Sequence, residues 1–226
     1  LCLALSGLCD MFDGKIARTK KDRTEIEERF GIQILQGYGM TECSPVISTT
    51  VAWNVKKNSV GQLLPNCEAK TVDGELWVRG SSVMQGYYKM PEETKTALKD
   101  GWLCTGDLGY VDEERFIYLT GRKKNLIITK NGENVSPEEL ENKLSSSRLV
   151  QEVLVREAKG VIEAEIYPDE EYAKKQGLER EEEVRVELQK LIDEYNQGAP
   201  AYKKIYSLII REKEFEKTAS RKIKRY

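Results

Sequence analysis

The sequence predicts an α+β fold, and two stretches of the chain indicate it. Residues 44–119 carry short β-branched or alternating segments separated by turn residues, which is the pattern of a β-rich block. The C-terminal part instead combines two alternating segments, Val150–Glu157 and Val161–Tyr167, with apolar residues at helical spacing over Glu181–Asn196. A final strand is expected at Tyr206–Ile210, so this part should form a small α+β unit.

A boundary between these two parts is expected at Thr120–Lys124. The segment is polar and basic, and it separates the β-rich block from a new apolar run, Leu126–Ile128. Exposed polar segments of this kind are typical of domain boundaries. The chain is therefore expected to fold as two parts.

The elements of the first part follow from local patterns. A capping-box pattern predicts a short helix over Thr24–Phe30. The apolar run Ile32–Leu35 predicts a buried strand. An Asp-Gly turn precedes the alternating strand Glu75–Gly80. A further strand is expected over Trp102–Val111, with a return strand at Phe116–Leu119.

In the second part, helix start and stop signals stand out. Ser136–Glu139 is a helix start, with serine at the N-cap, proline at the first helical position and glutamate at the third. That helix should run to about Ser146. The later helix over Glu181–Asn196 should end at Gly198 and Pro200.

The composition excludes several kinds of chemistry. The chain contains no histidine, so a Ser-His-Asp triad, a Cys-His pair and a histidine-ligated zinc site are excluded. General acid–base catalysis would be left to Lys, Cys, Asp or Glu with shifted pKa values. Chemistry that depends on positioning and charge stabilisation, such as phosphoryl or nucleotidyl transfer, fits better.

Charge, cysteines and hydropathy bear on partners and location. The net charge of −2 gives no overall attraction to nucleic acid. The five cysteines form no C-x-x-C pair, which suits unpaired thiols in a reducing cytosol. No run approaches the roughly 20 apolar residues of a membrane span. We therefore expect a cytoplasmic protein, while peripheral membrane contact and the oligomeric state stay open. Because the first residue is not Met, we also expect a fragment or a trimmed chain.

The first candidate site is the hexamer Gly37–Glu42, with the sequence GYGMTE. A glycine-rich turn lets backbone N–H groups approach a phosphate closely. Thr41 can donate to a phosphate oxygen, and Glu42 can hold a hard cation such as Mg²⁺. By itself the hexamer is equally typical of an ordinary strand-to-loop turn. Its interpretation depends on later stretches.

Two later positions carry groups that suit the same chemistry. Asp107 is expected at a strand's end, where it either forms an Asx turn or presents a carboxylate to paired sugar hydroxyls. The tail Arg211–Tyr226 is rich in basic residues, and it is either a solubilising tail or a functional segment.

Five motifs follow one another in a specific order from about Glu25 to the end of the chain. They are Gly37–Glu42 (G-Y-G-x-T-E), Gly74–Leu76 with Gly86-Tyr87 (G-E-L … G-Y), Thr105–Asp107 (T-G-D), Gly121–Lys124 with Asn134–Glu139, and Lys217–Lys222 (T-x-x-G-K). Together they resemble the C-terminal portion of an AMP-forming acyl-CoA synthetase of the adenylate-forming superfamily. Glu42–Val46 is most similar to the fatty-acyl branch.

The resemblance implies a domain organisation and a reaction. Residues 1–120 would be the C-terminal part of the large AMP-binding domain, residues 121–125 the hinge, and residues 126–226 a mobile small C-terminal α+β domain. The implied reaction joins a medium- or long-chain fatty acid to the α-phosphate of ATP and releases pyrophosphate. The acyl group then passes to the thiol of CoA. ATP or AMP, Mg²⁺ and CoA are the implied cofactors and co-substrate, and a small carboxylic acid is the substrate.

The resemblance also implies roles in nucleotide binding. Tyr38 would pack near the adenine, Thr41 would hold phosphate, and Glu42 would help to bind Mg²⁺. Asp107 would accept both ribose hydroxyls, and Arg122 would also reach the ribose. The nucleotide-binding loop would also include the other residues of the hexamer, Gly37, Gly39 and Met40.

Three further roles follow from the resemblance. Lys222 would place its ammonium between the carboxylate and the α-phosphate, where loss of such a group costs about 10²-fold or more. Thr41 and Glu42 would join it in catalysis. Lys124 would be the hinge, unless it is only a surface lysine of a linker. Hinge rotation would withdraw Lys222 and bring Asn131, Gly132, Glu133 and Asn134 to the entry channel of the CoA thiol.

The sequence also departs from the family pattern. The Ser/Thr/Gly-rich phosphate loop that ends in a lysine is expected upstream of Gly37, and no such loop is present. Arg221 replaces the glycine before Lys222. We therefore expect the isolated chain to be inactive. An aryl-CoA ligase, a carrier-protein acylating enzyme and a non-catalytic nucleotide-binding remnant stay open as alternatives.

Overall fold

The computed structural model describes residues 29–218 and 223–225. It divides into two compact units, one of Ile32–Asn125 and one built on the residues from Leu126 onward. Helices and several β-sheets occur together in the described residues, which confirms the predicted α+β class. The predicted helix Thr24–Phe30 lies, except for its last two residues, outside the described part.

A small antiparallel sheet opens the first unit. Its strands pair in the order β1 (Gly37–Gly39), β2 (Val46–Thr49) and β3 (Gln62–Leu63). A 3₁₀ turn, Thr41–Cys43, connects β1 to β2. The two glycines of the hexamer therefore lie in an edge strand, and its Thr41 and Glu42 lie in the turn that follows.

A larger antiparallel sheet forms the rest of the first unit. Its strands are β4 (Cys67–Val72), β5 (Glu75–Gly80), β6 (Leu98–Lys99), β7 (Trp102–Val111) and β8 (Ile117–Arg122), and helix α1 (Pro91–Ala97) precedes β6. They pair in the order β4-β5-β7-β6, with β8 also on β7. The apolar side chains that point inward from the two sheets form one buried cluster, comprising Cys43, Ile47, Leu63, Cys67, Leu76, Val78, Leu103 and Ile117.

The apolar run Ile32–Leu35 is not a strand, so that prediction was wrong. Pairing with β2 begins only where the Thr50 N–H donates to the Gln36 carbonyl oxygen at 2.8 Å. Ile32 and Leu35 are 53% and 42% exposed. An apolar run becomes a strand only where a neighbouring strand supplies hydrogen-bond partners, and among the described residues no strand is paired with this run.

The second unit is built on a three-stranded sheet and contains three described helices. Its elements are β9 (Ile127–Ile128), β10 (Asn134–Val135), α2 (Pro137–Leu144), β11 (Val150–Ala158), β12 (Val161–Pro168), α3 (Glu170–Lys175), α4 (Glu181–Gly198) and β13 (Ile205–Ile210). Strands β11 and β12 form an antiparallel hairpin, and β13 lies parallel to β12 after the α3–α4 crossover. Strands β9 and β10 form a separate two-stranded hairpin.

Amphipathic packing explains the helices of this unit. Val184, Leu188 and Ile192 recur at intervals of four along α4, and they join one buried cluster with α2 and the three-stranded sheet. The predicted helix over Glu181–Asn196 is thus confirmed, and it ends at Gly198 as expected. Helix α3 was not predicted, although Asp169 caps it by accepting the Tyr172 N–H at 2.8 Å. None of the described helices has the length and apolar character needed to cross a membrane.

Candidate functional site

A bulge in β7 re-aims the residues of the T-G-D motif. Trp77 of β5 pairs with Cys104, but Glu75 pairs with Leu108, so β7 holds extra residues between these two pairs. Gly106 lies in the bulge with φ of +72°, a conformation that L side chains rarely adopt. Bulges of this kind frequently lie beside binding sites. Asp107 is therefore inside β7 rather than at a strand's end, which corrects that prediction.

Side chains satisfy the backbone groups that the bulge removes from the ladder. The Gly106 N–H donates to Glu75 Oε1 at 2.9 Å. The Thr105 hydroxyl donates to the Leu76 carbonyl oxygen at 2.7 Å and accepts the Asp107 N–H at 3.1 Å. Buried backbone groups without partners are costly, so Glu75 and Thr105 hold the bulge in place.

Three predicted nucleotide-binding residues meet at the carboxylate of Asp107. The Tyr38 hydroxyl, from β1, donates to Oδ2 at 2.6 Å. The Arg122 Nε lies 2.7 Å from Oδ1, and Arg122 is the direct cross-strand neighbour of Asp107 in the β7–β8 ladder. Asp107 is only 5% exposed, whereas the Arg122 side chain is 46% exposed. The structure thus gathers Tyr38, Asp107 and Arg122 from three strands.

The environment keeps the Tyr38 hydroxyl protonated. Burial raises the pKa of Tyr38 well above its usual range, and the neighbouring Asp107 charge raises it further. Tyr38 therefore acts as a neutral donor to the carboxylate. The pair holds the carboxylate in one orientation without adding a second negative charge.

A second ion pair lies beside the first. Lys123 Nζ lies 2.9 Å from Glu75 Oε2, and Glu75 is 5% exposed. Burial by itself would raise the pKa of Glu75, but Lys123 and the Gly106 N–H outweigh it and lower the pKa. Neither Glu75 nor Lys123 was expected to have a role, although Glu75 belongs to the G-E-L motif and Lys123 to the segment Gly121–Lys124. Their positions within these two motifs were the only sequence feature that could have indicated a role.

A shallow groove of about 420 Å³ adjoins the bulge. It is lined by Thr105, Gly106, Arg122, Lys123 and Lys124. Three of these five side chains are basic and exposed. The positive border favours an anionic ligand.

The hexamer places its polar side chains at the surface of the first unit. Thr41 is exposed and Glu42 half-buried. The Tyr87 hydroxyl donates to Glu42 Oε1 at 2.8 Å, and this hydrogen bond, followed by burial, raises the pKa of Tyr87. Tyr87 comes from the G-Y motif and orients Glu42, a role that sequence analysis did not assign.

Gly39 is required by a close backbone approach. A Cβ added at Gly39 would lie 2.0 Å from the Pro45 carbonyl oxygen, which real Cβ atoms do not do. The same carbonyl oxygen accepts the Met40 N–H at 2.7 Å. The chain at Gly39 and Met40 is therefore held against Pro45, which directly precedes β2, and the turn that contains Thr41 and Glu42 follows.

The hexamer fits one kind of magnesium site and not another. Among residues 29–218 and 223–225, no cluster of three or more His, Cys, Asp or Glu could hold a metal ion. Nucleotide-bound Mg²⁺ usually takes one or two carboxylates and completes its shell with phosphate oxygens and water. Glu42 beside the exposed Thr41 fits a site completed by the nucleotide. The described residues do not fit an all-protein cage.

The remaining predicted residues lie elsewhere. Lys124 belongs to the 3₁₀ segment Lys123–Asn125, where the first unit ends. Asn131–Asn134 are exposed, in the second unit, and Gly132 turns the chain with φ of +82° between β9 and β10. Lys222 lies outside the described residues. The roles of hinge, CoA-side loop and catalytic lysine stay predictions.

Comparisons with known proteins bear on the class of protein. Residues 11–88 match the family described as AMP-binding enzyme, and residues 124–226 match the family described as AMP-binding enzyme C-terminal domain. The chain is 37% identical over 164 residues to the long-chain-fatty-acid–CoA ligase of Bacillus subtilis. The aligned region covers 67% of this chain and 29% of that protein.

Solved structures agree with this. The chain superimposes on o-succinylbenzoate CoA synthetase (MenE) of Bacillus subtilis in complex with its acyl-adenylate, with a TM-score of 0.70 and 30% identity over 88% of this chain and 41% of that chain. MenE in complex with ATP and magnesium gives a TM-score of 0.67 and 30% identity over 88% and 42%.

The chain belongs to the AMP-binding family of adenylate-forming enzymes, as its motifs predicted. It spans 29% of the length of the Bacillus subtilis fatty-acid ligase and 41% of MenE, so it corresponds to part of such an enzyme. The two relatives are named for different acids, a long-chain fatty acid and o-succinylbenzoate. Family membership therefore leaves the acid open.

Proposed function

We propose that this chain is the C-terminal portion of an ATP-dependent acid–thiol ligase that activates a medium- or long-chain fatty acid and transfers it to CoA. The observation that carries the proposal is the Asp107 carboxylate, which is nearly buried and held by Tyr38 and Arg122 beside a basic groove. The choice of a fatty acid is supported by the 37% identity to the Bacillus subtilis long-chain ligase.

The Asp107 carboxylate suits two vicinal ribose hydroxyls. An ionised carboxylate only accepts hydrogen bonds and offers two oxygens at the spacing of paired hydroxyl donors. Such charge-assisted hydrogen bonds are roughly twice as strong as neutral ones. Tyr38 and Arg122 orient the carboxylate, and Arg122 is exposed enough to reach the sugar. Tyr38 would also pack near the adenine.

Phosphate and metal would be held at the surface turn. Thr41 would donate to a phosphate oxygen, and Glu42, oriented by Tyr87, would hold Mg²⁺. The bound ion would neutralise phosphate charge as a Lewis acid. The backbone of Gly37, Gly39 and Met40 would allow the phosphates to approach closely.

The proposed reaction has two steps. First, a carboxylate oxygen of the fatty acid bonds to the α-phosphorus of ATP, and the bond to pyrophosphate breaks. Lys222 would stabilise the negative charge that gathers there. Second, the sulfur of CoA bonds to the acyl carbon, its proton passes to solvent, and AMP leaves. Rotation about Lys124 would exchange Lys222 for the loop Asn131–Asn134 between the two steps.

A second acid class has specific support. MenE, named for o-succinylbenzoate, is 30% identical over 88% of this chain. The same site would then activate an aromatic acid, with the same roles for Asp107 and Lys222.

The deciding experiment is ATP–pyrophosphate exchange by the intact protein with a panel of fatty and aromatic acids. We expect exchange that depends on fatty acids and that falls by about 10²-fold or more in Lys222→Ala. Lys213→Ala is the matched control, since it removes an exposed lysine of the same tail. Exchange with aromatic acids alone would contradict the fatty-acid assignment. No exchange with any acid, from a folded protein that binds AMP, would contradict the ligase itself.

A further inference from the structure

The Asp107 carboxylate carries the negative charge of its hydrogen-bonded group. The Tyr38 hydroxyl donates to its Oδ2, and the Arg122 Nε lies beside its Oδ1. Because burial raises the pKa of Tyr38, that hydroxyl stays neutral. Asp107 is only 5% exposed, so water and salt screen its charge poorly. A ligand group placed against Asp107 therefore meets a charge that accepts hydrogen bonds and donates none.

Two of the three cations that border the groove are already paired with carboxylates. Arg122 pairs with Asp107 itself, and Lys123 Nζ lies 2.9 Å from Glu75 Oε2. Arg122 could bind a further anion only by leaving the buried Asp107 carboxylate, and breaking a pair of this kind is strongly unfavourable. Lys124 is exposed, and an exposed ion pair raises affinity by about 5-fold at most. The groove therefore offers little compensation for an anion that is placed against Asp107.

We propose that Asp107 is a specificity-determining residue that excludes adenosine phosphorylated at its 3′-oxygen, an inference that rests on the proposed function. There, both ribose hydroxyls donate to Asp107. A 3′-phosphate removes one donor and sets acceptor oxygens and negative charge against the carboxylate. One hydrogen bond to a charged group is worth about 10-fold to 150-fold in affinity, which exceeds what an exposed lysine returns. In dinucleotide-binding folds a carboxylate likewise selects the free ribose hydroxyl, whereas an arginine accommodates the phosphorylated ribose.

This exclusion separates the two nucleotide-bearing substrates of the proposed reaction. ATP and CoA both contain adenine and ribose, but the ribose of CoA carries a 3′-phosphate and the ribose of ATP has a free 3′-hydroxyl. A site that accepted both riboses would be open to CoA during the first step, in which ATP must be bound. The buried charge of Asp107 keeps CoA out, because rejection of a substrate depends on unfavourable contacts as much as on favourable ones.

The test is calorimetric titration of the intact protein with four nucleotides that differ only at the 3′-position. They are AMP, 3′-deoxyAMP, 3′-O-methylAMP and adenosine 3′,5′-bisphosphate. The deoxy nucleotide lacks the donor alone, so it should bind about 10-fold to 150-fold more weakly than AMP. The methyl ether adds bulk without charge. The bisphosphate should bind about 10-fold or more weakly again than the methyl ether, because its charge faces a poorly screened carboxylate.

Asp107→Asn assigns the discrimination to this residue. Its amide has no negative charge and carries an NH₂ group that can donate to a phosphate oxygen. The variant should therefore lose affinity for AMP but lose less for the bisphosphate, so that the ratio of the two dissociation constants falls by about 10-fold or more. The matched control is Asp100→Asn, the same chemical change at an exposed position, which should leave the ratio unchanged.

The outcomes are distinguishable. Wild-type protein that binds AMP and the bisphosphate equally well would overturn the inference alone and leave the proposed function standing. A bisphosphate that binds as well as the methyl ether would show that bulk rather than charge is rejected, and an unchanged ratio in Asp107→Asn would show that another residue discriminates. Either result overturns the inference. If Asp107→Asn does not fold, the comparison of bisphosphate and methyl ether in the wild type decides. A folded wild-type protein that binds no AMP would refute the proposed nucleotide site, and this inference with it.

Discussion

Replacement of Asp107 by asparagine tests the nucleotide site most directly. The side chain keeps its shape but loses its charge and one acceptor oxygen. In the structure both carboxylate oxygens already face donors, Tyr38 at 2.6 Å and Arg122 at 2.7 Å. An asparagine NH₂ group would face one of these donors, so Asp107→Asn can accept well at only one oxygen.

The expected magnitude follows from the hydrogen bonds that the ribose would lose. Hydrogen bonds to a charged group contribute about 1.5–3 kcal/mol each, and a neutral one about 1 kcal/mol. Exchanging two of the first kind for one of the second costs about 2–5 kcal/mol. That difference corresponds to an AMP dissociation constant raised by about 30-fold to 5,000-fold.

The assay is calorimetric titration of the chain with AMP and with 2′-deoxyAMP. Removing the 2′-hydroxyl should weaken AMP binding to the wild-type chain. It should weaken binding to Asp107→Asn by a smaller factor, because that variant already lacks the carboxylate that would accept the 2′-hydroxyl. The control is Asp100→Asn, the same chemical change at an exposed turn position with φ of 50°, which asparagine tolerates. Circular dichroism checks that each variant is folded.

Two results would refute the reasoning. A folded Asp107→Asn chain that binds AMP as tightly as the wild type would show that the carboxylate does not contact the nucleotide. An equal loss on removing the 2′-hydroxyl in both proteins would show that Asp107 contacts another part of the ligand. In the first case the Tyr38–Asp107–Arg122 contacts would serve only the fold of the first unit.

Three further predictions concern the groups around Asp107. Tyr38→Phe leaves the buried Asp107 carboxylate without one of its donors, so urea denaturation should show a free energy of unfolding lower by about 1–3 kcal/mol, and an unchanged midpoint would contradict the contact. Lys123 and the Gly106 N–H lower the pKa of Glu75. The ionised Glu75 carboxylate therefore stabilises the fold above the ordinary glutamate pKa, and this stabilisation is lost as pH falls through the lowered pKa. The melting-temperature difference between wild type and Glu75→Gln should accordingly be largest near neutral pH and shrink below about pH 4, and a difference that grows in acid would reverse the assignment. Gly106→Ala should destabilise by about 1–2 kcal/mol through its positive φ alone, since no atom lies within 4 Å of the added Cβ, and a neutral effect on the melting temperature would argue against the bulge.

Features that depend on neighbours in the sequence were predicted well. Helix α4 has apolar residues at helical spacing and a glycine at its end, so both its presence and its end could be read from the chain. Helix α2 begins at Pro137 with Ser136 at the N-cap position, as its start signal indicated. These patterns involve residues within one or two turns of each other.

Features that depend on distant pairing were not predictable in this way. Tyr38 and Asp107 are 69 positions apart, and no local spacing indicates that they touch. Glu75 holds Gly106 and Lys123 across separations of 31 and 48 positions, so its role appeared only with the structure. The apolar run Ile32–Leu35 failed for a related reason, because a strand depends on its neighbour as much as on its own residues.

The bulge explains why the T-G-D motif has these three residues in this order. Gly106 supplies the left-handed backbone that forms the bulge. Thr105 satisfies the backbone on both sides of it, through the Leu76 carbonyl and the Asp107 N–H. Asp107 is then presented to Tyr38 and Arg122 from within β7. The glutamate of the separate G-E-L motif caps the Gly106 N–H from the neighbouring strand. Two motifs that look independent in the sequence therefore form one hydrogen-bonded bulge, and a change in either motif should displace the Asp107 carboxylate.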